Sequence, residues 1–407
     1  MKLMVWNIEK FTAAKFGAYL FKPPGVLTSR KRGRQSADQR IEYMRAAIDP
    51  GVAAYIPDVI AILEPQVDDV TAIGQPMSAL NATGVLQFLD LIKDQTGNPA
   101  WRVVPPIKCN PSKPPAHAGS WAAREVVAVF YNSTTMTFEG PDYWTGAGGV
   151  VRPALGGAAA AAAYPPPWDT AAETLATTRA GRIAHTDALG ATVLFPNDMN
   201  RRPFMVDFRE KAPTLRLFRC LFIHTSPQHG LAGAHVTGSA NIASIADMNP
   251  LMNTTAVPDY YIACGDFNVN DYYAAETTQA FQPLLNLQYR KALRQPNIRS
   301  THFRRKHDAN PLLIPFGYAQ HQVIDNFLVR RTVPPQPSIA TYFRAAVDRV
   351  RGGPAPWATS MDSTLATING PRAGPDAPGP TAIFRRWENF WCIIATSDHM
   401  PTYLRIS

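Results

Sequence analysis

The sequence predicts an α/β protein built on a large sandwich-type domain. Apolar runs of strand length stop abruptly at polar residues, and between them lie segments whose apolar residues recur at helical spacing. The chain has 407 residues and 46% hydrophobic content, enough for a sizeable buried core in one domain with insertions or in two domains. The clearest run, Tyr261 to Asn270 (YIACGDFNVN), reads as a buried strand that delivers Asp266 and Asn268 to the rim of a sheet. Two positions apart, their side chains point to the same side of an extended chain. A turn with a capping aspartate is the other reading of the same residues.

In chain order, Lys2 to Ile8 is a strand that ends at Asn7, either a turn asparagine or a ligand. A loop rich in Pro, Gly and Arg follows, then a helix from about Ser36 to Ile48. Asp58 to Leu63 is a short strand closed by Glu64, and Met77 to Lys93 places Leu80, Val85, Leu86, Leu89 and Ile92 on one helical face. Trp101 to Ile107 and Arg124 to Tyr131 (REVVAVFY) are strands, with Glu125 at the entrance of the second. Arg202 to Phe208 and Thr214 to Ile223 form a hairpin about a polar turn, and His224 ends it. Helices are predicted over Gly238 to Met248 and Asp271 to Gln288. The strand Gln322 to Val329 holds Asp325 in its interior, where an unpaired carboxylate would cost several kcal/mol, so it needs a partner. Strands Asn389 to Ala395 and Thr402 to Ile406 flank Asp398 and His399. Two stretches rich in Ala, Gly and Pro, about 140 to 190 and 332 to 380, lack a regular apolar face and read as insertions into a single domain.

The net charge of +9 favours an anionic partner, and Arg290 to Lys306 carries seven Lys or Arg with no acid. A solvated basic face is the alternative for any one of these residues. Cys109, Cys220, Cys264 and Cys392 are widely spaced, with neither a disulfide framework nor zinc-site spacing. The opening strand leaves no room for a signal peptide before the fold, and the Ala154 to Tyr164 run is too short to span a bilayer. The expectation is therefore a cytoplasmic protein without membrane insertion, monomeric, with leaderless export open. No P-loop, dinucleotide glycine pattern, HExxH helix or internal repeat is present.

Asn7, Glu64, Glu125, His224, the Asp266 and Asn268 pair, and the Asp398 and His399 pair all fall at strand ends or entrances, which predicts one cleft. The blocks WNI, ILEPQ, REVVAVFY, RRPFMVDF leading to IHTSP, GDFNVN, IDNFLV and SDHMP occur in order from Trp6 to Pro401. Together they resemble the endonuclease/exonuclease/phosphatase superfamily, also called DNase I-like. The resemblance implies a four-layer α/β sandwich, two mainly antiparallel sheets packed face to face with helices outside. It also implies a metal-dependent phosphodiester hydrolase. His224 speaks against the branch of dedicated AP endonucleases, and ACGDFNVN and QVIDNFLV depart from the 5-phosphatase pattern.

In that scheme Asn7, Glu64 and Asp398 would hold Mg²⁺, with Mn²⁺ as a substitute, since this hard cation prefers carboxylate and amide oxygens. Asp325 would orient His399 and Glu125 would orient His224; His399 as the base toward water and His224 as the second acid or donor is one assignment, and the exchanged roles are the other. Asp266 and Asn268 would grip the phosphate. Arg124, Arg202, Thr301, Arg304, Arg305 and Lys306 are the candidate contacts to substrate, for which nucleic acid is the leading reading. A phosphatase or phospholipase C-type enzyme on inositol phosphates or sphingomyelin is the alternative, and a catalytically silent binding module is a third reading.

Overall fold

Alternating side chains that are apolar on both faces bury each central strand twice, once against a partner sheet and once against the outer layer. The computed structural model describes residues 1–17, 37–48, 56–66, 83–104, 125–140, 184–186, 192–194, 204–225, 242, 258–269, 280–293, 302–305, 318–322, 324–332, 396–399 and 401–406. The elements begin with β1 (Lys2–Phe11), a 3-10 turn (Ala13–Lys15), α1 (Ala37–Ile48), β2 (Val59–Gln66), α2 (Thr83–Thr96), β3 (Trp101–Val104), β4 (Glu125–Asn132) and β5 (Met136–Gly140). There follow β6 (Ala184–Thr186), β7 (Thr192–Leu194), β8 (Phe204–Glu210), β9 (Leu217–His224), β10 (Tyr260–Asp266), α3 (Gln282–Asn286), β11 (Arg290–Lys291), β12 (His302–Arg305), β13 (Tyr318–Gln322), β14 (Asp325–Arg331) and β15 (Thr402–Arg405).

One sheet has the order β15-β1-β2-β4-β3 and the other β11-β14-β10-β9-β8-β5, while β12 pairs with β13 and β6 with β7. Each large sheet contains one parallel pair, β1 with β2 and β9 with β10. The remaining ladders are antiparallel. The class is α/β.

Leu3 and Val5 of β1, Ala61 and Leu63 of β2, Cys220 and Phe222 of β9, and Ile262 and Cys264 of β10 share one core cluster, so the two sheets stack face to face. Trp6 points the other way and meets Tyr43 of α1 edge to face at 5.4 Å. Phe88 of α2 lies between Phe11 and Phe130, at 5.5 and 5.3 Å. Each such aromatic contributes about 2–3 kcal/mol by leaving water. On the far face of the second sheet, Leu221, Ile223, Tyr261, Ala263 and Leu328 pack with Phe281 and Leu284. Gly84 lets α2 touch the turn after β1, because a Cβ there would lie 2.7 Å from the Thr12 carbonyl carbon.

Several boundaries differ from expectation. Gln322 belongs to β13, and Asp325 opens β14 instead of lying inside a strand. Between them the Ile324 carbonyl accepts from the Phe267 N–H, which ends the ladder. Strand β5 was not expected. It forms because Met136 and Phe138 supply an apolar face to the inter-sheet core. Within Asp271 to Gln288 the described helix is confined to α3. Strand β6 falls near the end of the first insertion and its partner β7 just past it; nearly all the rest of that stretch and of the second, most of Gly238 to Met248 and the strand Asn389 to Ala395 lie outside the described residues. No helix among the described residues is long and apolar enough to cross a membrane.

Candidate active site

The alternation that builds the core also builds the site. On β1 the inward positions are Leu3, Val5 and then Asn7; on β9 they are Phe218, Cys220, Phe222 and then His224. On β10 they are Tyr260, Ile262, Cys264 and then Asp266, and on β14 Val329 and Phe327 lead back to Asp325. At one end of the sandwich the inward apolar side chains thus give way to polar ones on four strands. Register completes the alignment, because Asp266 is the partner of both His224 and Asp325. Glu64 is out of this alternation, one residue past inward Leu63, and a left-handed backbone (φ 63°) at Glu64 accompanies its turn toward the cluster. Gly265 has φ 132°, and a Cβ there would stand 2.1 Å from the Ile223 carbonyl oxygen, so β9 and β10 close at this end only around a glycine.

Asn7 is the centre. Its Nδ2 lies 3.1 Å from Glu64 Oε1 and 3.1 Å from Asp266 Oδ2, and 3.4 Å from the Nε2 atoms of both His224 and His399. His224 Nε2 is 3.2 Å from Glu64 Oε1 and 3.6 Å from Asp266 Oδ2. His399 Nδ1 meets Asp325 Oδ2 at 2.9 Å, which answers the need of Asp325 for a partner, and its Nε2 is 3.7 Å from Asp266 Oδ2. Trp6 donates its indole N–H to the His399 carbonyl at 2.9 Å. The Ser397 hydroxyl donates to the Asn7 carbonyl at 2.5 Å and accepts the His399 N–H at 2.9 Å, tying the loop before β15 to β1.

Burial works against a charged His399, yet Asp325 and Asp266 outweigh it and lift the imidazolium to about 10. Burial is also what raises the Asp266 carboxyl; His399 and His224 pull it down, and Asp325 adds to the rise. A divalent cation fits this donor set. The Asn7 Oδ1 is buried without a hydrogen-bond partner among the described residues, next to two carboxylates that share its amide. Oxygen donors of this kind suit a hard ion such as Mg²⁺.

Of the other predicted residues, Asn268 has φ 50°; its N–H donates to Asp266 Oδ1 at 2.8 Å and its amide to the Thr225 carbonyl at 2.6 Å. Asp398 stands beside His302, Oδ2 to Nε2 3.8 Å. Glu125 begins β4 opposite Gln66, and Arg304 and Arg305 lie on β12; their side chains are outside the described set. Arg124, Arg202, Thr301 and Lys306 are outside the described residues. Sequence reasoning missed His302, whose ring meets that of His399 edge to face at 4.6 Å across a bridge between the two residues. It lies in a basic run that was read for its cations and for Thr301 beside it. Ser397 was passed over as a flank, although a hydroxyl two residues before a candidate histidine is a loop-capping signal.

No family model matches the chain, and no curated protein matches it. Solved structures similar to it include endonuclease/exonuclease/phosphatase family proteins. One, from Bacteroides thetaiotaomicron, is 12% identical, with TM-score 0.39 and coverage of 81% of this chain and 82% of its own. Another, from Leptotrichia buccalis, is 13% identical, with TM-score 0.39 and coverage of 81% and 87%. The human Nocturnin catalytic domain with bound sulfate anion is 13% identical, with TM-score 0.36 and coverage of 81% and 82%. The two-sheet fold is defined by this chain's own strand pairing, and likeness at this level leaves activity and substrate to the geometry of the site.

Proposed function

We propose that this protein is a Mg²⁺-dependent phosphodiester hydrolase acting on nucleic acid. One observation carries the reading: two histidines, one backed by a buried carboxylate, converge with an amide and two further carboxylates at one end of two stacked sheets. That is the equipment for moving protons on either side of a phosphorus atom. When bound by Asn7 and Glu64, Mg²⁺ would offset the charge that builds on the phosphate.

His399, with Asp325 fixing its tautomer through Nδ1, presents Nε2 to the cleft. In its neutral form it takes the proton of a water as the water oxygen bonds to phosphorus. His224, at the end of β9, donates a proton to the oxygen that leaves as the second P–O bond breaks. Asp266 and Asn268 hold the phosphate side of the site, where the Asp266 carboxylate keeps both histidine Nε2 atoms facing inward. The preference for nucleic acid over a lipid or sugar phosphate rests on the basic run through Arg290 to Lys306, which suits a repeating polyanion.

The test is hydrolysis of plasmid DNA, RNA, sphingomyelin and inositol phosphates, each with Mg²⁺ and with EDTA. Cleavage of nucleic acid that EDTA abolishes is the expected result. Cleavage of lipid or inositol phosphate alone would overturn the substrate, and EDTA-resistant cleavage would overturn the cation. His399→Ala and His224→Ala should each lower the rate by about 10²–10⁴-fold with little change in the thermal melt.

A further inference from the structure

Beside the oxygen-rich pocket of Asn7 and Glu64 lies a cluster of different chemistry. We propose that His302, Asp398 and His399 form a second cation site, selective for imidazole-seeking transition ions such as Zn²⁺, through which such an ion inhibits the enzyme. One ring nitrogen of each histidine and one carboxylate oxygen of Asp398 all lie within 4.8 Å of one another. The His302 Nε2 and Asp398 Oδ2 atoms are 3.8 Å apart, and both side chains are nearly a fifth exposed, at 19% and 18%, so an ion has access. The backbone presets the arrangement: His302 of β12 bridges His399 directly, which brings the two rings edge to face at 4.6 Å.

The donor atoms around a tetrahedral Zn²⁺ stand about 3.3 Å apart, so the cluster closes on the ion by small rotations of the half-buried His302 and Asp398 side chains toward buried His399. Two imidazoles and one carboxylate are a set that Zn²⁺, Ni²⁺ or Cu²⁺ takes in preference to Mg²⁺, which seeks oxygen and holds its waters. Asp398, which the sequence assigned to the Mg²⁺ side, thereby belongs to the second ion. The consequence follows from sharing His399. With Nδ1 engaged by Asp325, the ion takes Nε2, and that nitrogen bonded to Zn²⁺ cannot accept a proton from water, so occupancy stops hydrolysis even with Mg²⁺ in place. This inhibitory part rests on the hydrolase reading; binding of the ion does not.

The experiment titrates the intact protein with ZnCl₂ in excess Mg²⁺, reading bound zinc by calorimetry and hydrolysis in parallel. The wild type should bind one zinc and lose activity in the same concentration range. His302→Ala and His302→Asn should each need at least about tenfold more zinc for both effects while retaining Mg²⁺-supported hydrolysis and the thermal melt. Co²⁺ in place of Zn²⁺ should give visible absorption bands in the wild type that both variants lack. Unchanged zinc affinity in folded His302 variants, or no zinc bound by the wild type in excess Mg²⁺, overturns the site. Zinc binding that needs His302 in a protein that cleaves none of the substrates upholds the site and removes the hydrolase reading instead.

Discussion

At the scale of single residues, the fold sets the charge of His399 through two carboxylates. Its imidazolium is lifted to about 10, against its burial, by Asp325 and Asp266. Because the folded value lies above the ordinary 6.5, protonation stabilises the folded state; that stability is whole below about 6.5 and is lost as pH rises toward about 10. In metal-free protein the His399 ring signals in a proton NMR titration should therefore remain those of the charged form well past neutrality. Asp325→Asn should move that titration to lower pH and cut hydrolysis by about 10²-fold. An unmoved titration would remove Asp325 as the source of the shift. Mg²⁺ should also move it downward in the wild type, since a cation held by Asn7 and Glu64 would stand near His399 and oppose the carboxylates that hold the proton. Asn7→Ala and Glu64→Gln should erase that Mg²⁺ effect together with activity, a paired readout that a merely structural defect does not give.

Among the elements, the decisive contact is the β9–β10 pair. Gly265→Ala would place a Cβ 2.1 Å from the Ile223 carbonyl oxygen at a backbone angle that side chains avoid. The strands would have to part where His224 and Asp266 are presented. A loss on the order of 3–5 kcal/mol is expected, measured by urea unfolding, with hydrolysis lost in whatever still folds; a loss under about 1 kcal/mol would show that the pair relaxes. The same strands show what could be read in advance. Asp266 and His224 were legible because each directly follows an apolar stretch, and a buried strand ends where its sheet meets the rim. Asp325 was identified but misplaced, because the apolar Val323 and Ile324 before it continue the strand pattern although the ladder begins only at Asp325. His302 was illegible, since its partner His399 lies far along the chain and only the bridge between them brings the rings together. The inward turn of Glu64 was equally hidden, because periodicity reports which face a residue should take and not where a left-handed residue departs from it.

For the whole molecule, the two sheets must hold their stacking at both ends for the site at one end to keep its geometry. At the end away from the site, Glu210 of the second sheet joins the Met1 ammonium, which precedes β1 of the first, at 2.5 Å. The same carboxylate takes Arg216 at 2.6 and 2.9 Å and the Thr214 hydroxyl at 2.6 Å. Burial alone would raise the Glu210 carboxyl, but Arg216, the Met1 ammonium and Thr214 together bring it from 4.5 down to about 2. A depressed carboxylate stabilises the fold in its charged form, so the contribution is complete above about 4.5 and disappears as pH falls toward about 2. Glu210→Gln removes the charge while keeping the shape. Its melting temperature should lie below that of the wild type at neutral pH, and the two curves should converge as pH falls from about 4.5 to 2. Parallel curves through that range would mean that the clamp adds nothing linked to protons. Because Glu210 stands at the far end, hydrolysis per folded molecule at neutral pH should be unchanged, which separates the clamp that aligns the sheets from the groups that do the chemistry.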